Sequence, residues 1–270
     1  MNSSFSFRRF GTYFLYDLRE VWKNNSKAFY IFGGSGVMLY VVWVLFSLVF
    51  TQTWTAPVIW ARAGVFGLAV CGLSLYYARM YGFLTERKAG SQYLMLPAST
   101  GEKFASMMVI SIIVVPIVFT AIYLALDGAI TLLDKTAGSS LIAGIGEIKS
   151  GFNKMVEAEG DGFVISFGWF IISIILGSIE NLLYFLLGGL IFKKWKIAGT
   201  IGVSLLIGII FGNIFGLIVT GDGFEYWTKL LEADPEGISR QITIWSNVIC
   251  GLISAGLATG IYFRIKTIKH

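Results

Sequence analysis

Six apolar runs, each long enough to cross a lipid bilayer as a helix, constrain this 270-residue chain more than any other feature. A hydrocarbon core about 30 Å thick takes roughly 20 consecutive apolar residues in helical form. Ile31 to Phe50 carries no charge, and Val58 to Met80 holds only Arg62 near its start and Arg79 at its end. Phe104 to Leu126 is uncharged but contains Pro116. Phe163 to Phe192 is longer than one upright span needs and carries Glu180 and Asn181, and Ile197 to Val219 and Ile242 to Phe263 complete the set. A water-soluble bundle would need far more charge than the 14% present here beside 56% hydrophobic residues. Outer-membrane barrel strands would read as segments of about ten residues with alternating polarity, which these continuous runs are not.

The expected fold is therefore an all-α polytopic membrane protein, a single transmembrane domain over residues 1–270. Its spans fall near 30–50, 58–80, 104–126, 163–192, 197–219 and 242–263. The first apolar run begins late and lacks a small-x-small cleavage pattern, so it reads as a retained anchor. Cys71 and Cys250 lie inside spans and read as small lipid-facing or helix-facing side chains.

Charge sets the orientation. Fifteen of the 21 basic residues lie before span one, between spans two and three, between spans four and five, or after span six. The segments 127–162 and 220–241 on the other side hold 11 of the 16 acidic residues. The positive-inside rule then predicts both termini in the cytoplasm, an arrangement that six crossings allow. The net charge of +5 belongs to this asymmetry and does not point to nucleic acid.

Outside the spans, residues 5–25 predict an amphipathic helix lying in the interface. Phe7, Phe10, Phe14, Leu18 and Trp22 share one face of it. Such a helix either sets the angle at which span one enters the bilayer or meets a cytoplasmic partner. The loop from Met80 to Ser106 places Glu86, Arg87 and Lys88 ahead of an apolar patch, Tyr93, Leu94, Met95 and Leu96, which Pro97 stops. This reads either as a short helix serving as a docking peg or as an interfacial loop whose leucines dip into lipid. Ser99 with Glu102 three residues on predicts a capping box opening span three. Leu141, Ile142, Ile145, Ile148 and Met155 allow a short external helix, with Gly144, Gly146, Gly151 and Gly160 as breaks. A second is expected around Phe224 to Glu232, ended by Pro235.

Inside the spans Glu180 stands out, because an intramembrane carboxylate pairs, becomes protonated or lines a polar path. Asn181 beside it and Asn213 in span five are its candidate companions, and structural, pathway and proton-relay roles all stay open. Arg62 sits about one turn inside span two, where snorkelling to the interface is expected. Gly208, Gly212 and Gly216 repeat every fourth residue, as do Gly256 and Gly260, a spacing that permits close helix packing or dimerisation. Gly188 and Gly189 are expected to loosen the inner end of span four. No GxxxxGK[ST] loop and no HExxH motif occurs, and the only histidine is His270, so no catalytic, ATP-hydrolysing or metal site is expected on this chain.

Two stretches carry a family resemblance. "ERKAGSQYLMLPASTGEKFAS", Glu86 to Ser106, resembles the cytoplasmic loop between spans two and three of small ABC-2 type transporter permeases of Bacteroidetes-type bacteria, with its "LMLPAS..EKF" element. "YFLLGGLIFKKWKIAGT", Tyr184 to Thr200, is similar to the end of span four in that group. The resemblance implies a bacterial inner-membrane permease of two such subunits, as a homo- or heterodimer among membrane lipids. It also implies separate ATPase subunits that bind ATP and Mg, and a role mostly in export. On it, residues 86–96 correspond to the coupling helix and the N-terminal helix to the connector beside it. Glu86, Arg87 and Lys88 would then offer charges to the ATPase, and Tyr93, Leu94, Met95 and Leu96 would make up the apolar docking patch. The acidic region between spans five and six departs from the compact re-entrant hairpin of that family. An ion-coupled secondary transporter and a non-transporting scaffold, sensor or immunity component are the competing expectations.

Overall fold

The computed structural model describes residues 5–86, 90, 95–158, 165–219, 229 and 234–268, without the side chains of 157, 158, 214–219, 235 and 236. The chain is all-α over these residues, and six of its helical stretches are long and apolar enough to cross a membrane. It is a multi-pass membrane protein. In chain order the helices are α1 (Phe7–Gly33), α2 (Ser35–Phe50), α3 (Ile59–Met80), α4 (Thr100–Val109), α5 (Val115–Leu133), α6 (Ile145–Ala158), α7 (Phe167–Ile191), α8 (Lys196–Val219) and α9 (Pro235–Thr267).

The N-terminal helix runs on to Gly33, where the chain turns before α2. A side chain at Gly33 would run into Ile122 of α5, so the turn takes place against that helix. With 16 residues, α2 is about 24 Å long, and the last turns of α1 make up the rest of the first crossing.

The stripe of α1 most deeply buried is not the aromatic one, of which Phe14 and Leu18 pack against the core only in part. Tyr13, Asp17, Val21, Asn25 and Ala28 are buried, whereas Phe7 is 84% exposed and Trp22 is exposed as well. The polar members explain the rotation. Asp17 accepts hydrogen bonds from Ser106 Oγ at 2.6 Å and Tyr81 OH at 3.3 Å, and Asn25 Oδ1 accepts one from Tyr76 OH at 2.9 Å. Buried polar groups cost free energy unless paired, so these partners set the rotation of the helix and leave Phe7 and Trp22 on its outer side.

Span three is α4 and α5 joined by a π-helical turn, Ile110–Val114. Pro116 supplies no N–H for Ile112 O and crowds that carbonyl, and the chain relieves this one turn earlier. The N–H of Val115 donates to Ile110 O, which leaves Ser111 O without its helical donor. Tyr77 OH donates to Ser111 O at 2.8 Å and seals the gap between α3 and α5.

The best-packed core lies at the end of the bundle that carries the basic loops. Tyr77, Tyr81, Met107, Ile110, Leu186 and Ile261 there are fully buried. The glycines expected to loosen span four do the reverse. A side chain at Gly189 would strike the backbone of Ala78 and one at Gly188 would strike Thr200, so both permit α7 to press against α3 and α8.

At the opposite end α6 forms where a short amphipathic helix is expected. Its Gly151 is no break but a seat for the Trp60 ring, and Phe152 stacks on Phe170 of α7 with ring centroids 4.6 Å apart. Pro235 opens α9 at its first turn, and Asp234 caps the Gly237 N–H at 2.9 Å. The helix expected over Phe224 to Glu232 lies outside the described residues except for Lys229.

Candidate coupling site

The capping box forms as read from the sequence: Glu102 N–H donates to Ser99 Oγ at 3.3 Å and Ser99 N–H to Glu102 Oε2 at 2.7 Å. The Glu102 carboxylate, fully buried, does more than cap. It also accepts from the backbone N–H of Ser6 at 2.8 Å and from Arg9, whose Nη2 and Nε reach it at 2.7 to 3.0 Å. A forked guanidinium on a carboxylate fixes orientation as well as distance. The start of α1 is thereby pinned to the start of span three, and Asp17 with Ser106 repeats the joint two turns further along α1.

On the other flank of the loop, Lys196 Nζ at the first residue of α8 pairs with Glu86 at 2.9 Å. Gly90 N–H donates to Glu86 O at 2.8 Å, the bond of one helical turn. Met95 is 82% exposed, while Leu96 packs against the core. Arg87, Lys88, Tyr93 and Leu94 lie outside the described residues. The segment 86–96 is thus fastened before and after: to α8 through Glu86, and to α1 and α4 through Glu102. Arg9, Asp17, Ser106 and Lys196 were not among the residues singled out by sequence, because their partners lie 89 to 110 positions away. The one available signal was the four-residue step linking Tyr13, Asp17, Val21 and Asn25.

Beneath this joint lies a cleft of about 990 Å³ between α1, the basic end of α3 and the α7–α8 turn. In that turn Trp195 adopts φ +57, the left-handed region that bulky residues avoid, and its ring is 82% exposed. Such backbone persists only where its surroundings hold it, here with Gly199 N–H donating to Trp195 O at 2.6 Å.

Within the bundle, Glu180 of α7 accepts a hydrogen bond from Cys250 Sγ of α9 at 2.8 Å. Cys250 belongs to a polar stripe along α9, with Ser239, Thr243 and Asn247 buried and Ser254 half-buried. Asn247 Nδ2 and Ser254 Oγ have no partner among the described residues. Asn181 is half-buried beside Glu180. Asn213 does not join them: its amide turns back to Ile209 O at 2.7 Å on the exposed side of α8. Side chains at Gly208, Gly212 or Gly256 would meet nothing within 4 Å, whereas one at Gly260 would touch Leu187 at ordinary contact distance. The side chain position at Gly216 lies outside the described residues.

The opposite end holds a third ion pair. Arg62 does not snorkel; it is 1% exposed and donates to Asp127 Oδ1 at 2.7 Å, Ala137 O at 2.8 Å and Ser139 O at 2.7 Å. Asp127 in turn accepts the Leu141 N–H at 2.7 Å, and Tyr123 OH donates to Arg62 O at 2.8 Å. Reaching bulk water would have cost Arg62 these partners, and a carboxylate beneath the loop outweighs the interface. Nearby, Asp134 accepts from Thr136, from Trp54 Nε1 at 2.8 Å and from Tyr40 OH at 2.7 Å. Those donors, Thr136 foremost and then Trp54, hold its carboxyl well below the usual carboxylate range.

No family model, no curated protein and no solved structure matches this chain.

Proposed function

We propose that this chain is the membrane subunit of an ATP-driven transporter of the ABC-2 type, coupled to a separate ATPase that binds ATP and Mg. One observation carries the reading: the loop segment 86–96 is tied by ion pairs on both flanks to different groups of spans. A docking element must transmit displacement to the spans without folding away under load. Push on 86–96, and the Glu86–Lys196 pair passes the motion to the α7–α8 turn while Glu102, Arg9 and Ser6 pass it to α1. Binding of ATP to the partner then biases the bundle between two states only through these contacts. The exposed Met95 is where the partner touches, and Leu96 holds the segment to the core.

On this reading the basic end is cytoplasmic, both termini lie there, and the membrane is a bacterial inner membrane. Two chains form the pathway, with the open glycine face of α8 available to the second copy. The polar stripe of α9 around Glu180 gives the pathway a hydrophilic wall.

The test is affinity purification of the tagged chain from its native membrane in mild detergent, beside a Leu94→Asp/Met95→Asp variant. Met95 is chosen over Leu96 because a charge at Leu96 would break core packing. An ATPase that comes down with the parent and is lost from a variant of unchanged thermal midpoint supports the proposal. Equal retention by both, or no ATPase with either, overturns it; a stable partner that is not an ATPase would favour a membrane scaffold.

A further inference from the structure

The cleft between α1, α3 and the α7–α8 turn contains more cation than its own acids absorb. Its carboxylates are engaged: Asp17 with Ser106 and Tyr81, Glu20 with Asn24 Nδ2 at 2.8 Å, and Glu86 with Lys196. Lys27, Arg79 and Lys193, which also line it, have no carboxylate partner among the described residues. With Lys196 the lining holds four cations against three carboxylates, an excess of one positive charge, and Lys27, Arg79 and Lys193 are exposed, where an anionic group can reach them. The rest of the lining includes the amides of Asn24 and Asn25 and an apolar part supplied by Val21, Met80, Leu96, Ile197 and Ile201. Ile197 and Ile201 continue into the exposed apolar surface of α8, where Leu205, Ile209 and Phe211 are all at least 60% exposed. At the mouth, the left-handed turn at Trp195 holds an exposed indole beside Lys193, and indoles settle at the level of lipid headgroups.

We infer that this cleft binds an anionic phospholipid, its phosphate held by Lys27, Arg79 and Lys193 and an acyl chain laid along Ile197 and Ile201 of α8. The lining supplies both parts of such a molecule: cations for the phosphate, and apolar residues that continue onto the exposed surface of α8 for a chain. Basic pockets between spans at a membrane surface take anionic headgroups by the same physics. The lipid wedges between the N-terminal helix and the α7–α8 turn, the two elements that the coupling loop is fastened to. The inference requires only that this end lie at a membrane surface, and it does not depend on the ATPase.

The experiment is native mass spectrometry of the full chain in mild detergent, titrated with phosphatidylglycerol, with phosphatidylcholine and with glycerol phosphate. The parent is expected to retain phosphatidylglycerol in preference to phosphatidylcholine, and glycerol phosphate, lacking chains, is expected not to displace it. Lys27→Gln/Arg79→Gln/Lys193→Gln should lose that preference, by about fivefold for each cation removed. A control that removes three cations outside the cleft, Lys23→Gln/Lys194→Gln/Lys266→Gln, should keep it. Equal loss in both variants would mean a diffuse charge effect and overturn the site. Displacement by glycerol phosphate would make it a soluble-anion site and overturn the lipid. Lipid preference kept in the cleft variant while an ATPase partner is lost would assign the cleft to that partner and likewise overturn it.

Discussion

Among the described residues one arginine–carboxylate pair lies at each end of the bundle, and the two differ in how far they are shut off from water. Arg62 and Asp127 have side chains only 2% and 4% exposed, and they are ringed by the carbonyls of Ala137 and Ser139 and the N–H of Leu141. Arg9 and Glu102 share the same 2.7 Å separation, but the Arg9 side chain is 37% exposed while the Glu102 side chain is fully buried. A sealed pair is costly to form and very costly to break, because each partner left alone is a buried charge. In the second pair only the arginine reaches water, and the buried carboxylate is also held by the Ser6 and Ser99 N–H groups, so it keeps those two donors when Arg9 lets go. The first therefore locks the loop after span three onto spans two and three. The second seats the Glu102 carboxylate at the start of span three and ties the N-terminal helix to it through a half-exposed arginine.

The difference can be broken most directly at Arg62. Arg62→Met should destabilise the protein by about 3–5 kcal/mol, because Asp127 is left buried and unpaired. Arg62→Met combined with Asp127→Leu should recover most of that loss, since the buried charge goes with its partner. Thermal unfolding in one detergent checks both, and a double variant no better than the single would show that the backbone bonds of Arg62, and not the charge pairing, secure the loop.

A smaller effect is expected at the other joint. Ser99→Ala removes the acceptor for the Glu102 N–H and should cost about 1 kcal/mol. Hydrogen exchange should rise over α4 and leave α6 unchanged, and an equal rise at both ends would mean the joints are not independent.

The smallest effect separates the ends by pH. The Asp134 carboxyl titrates below its unfolded value, so its contribution is complete above about pH 4 and fades as pH falls through the lower folded value. The midpoint difference between the parent and Asp134→Asn should therefore be constant from pH 7 to pH 5. A difference that shrinks within that window would show that the Thr136, Trp54 and Tyr40 bonds do not hold Asp134 as the geometry requires.

How much of this was legible in the sequence depends on the range of the interaction. The six apolar stretches and the Ser99–Glu102 capping box were readable, because hydropathy over some twenty residues and a three-residue cap are local properties. The glycines of span four were visible but misread, since whether a missing side chain loosens a helix or admits a neighbour depends on what stands opposite. Arg62 was read as reaching for water, the ordinary course for an arginine one turn inside a span, because Asp127 is 65 residues away and nothing in the local pattern names it.

By itself the sequence determined that the chain is helical, that it crosses a membrane several times and that its charges gather toward alternate loops, because the bilayer imposes those terms on any chain within it. Only the tertiary structure decided which polar groups meet: Asp17 with Ser106, Glu180 with Cys250, Arg9 with Glu102, and Tyr77 with the carbonyl that the Pro116 turn sets free. A buried polar group must find a partner within hydrogen-bonding distance, and which group that is depends on how whole helices lie against one another.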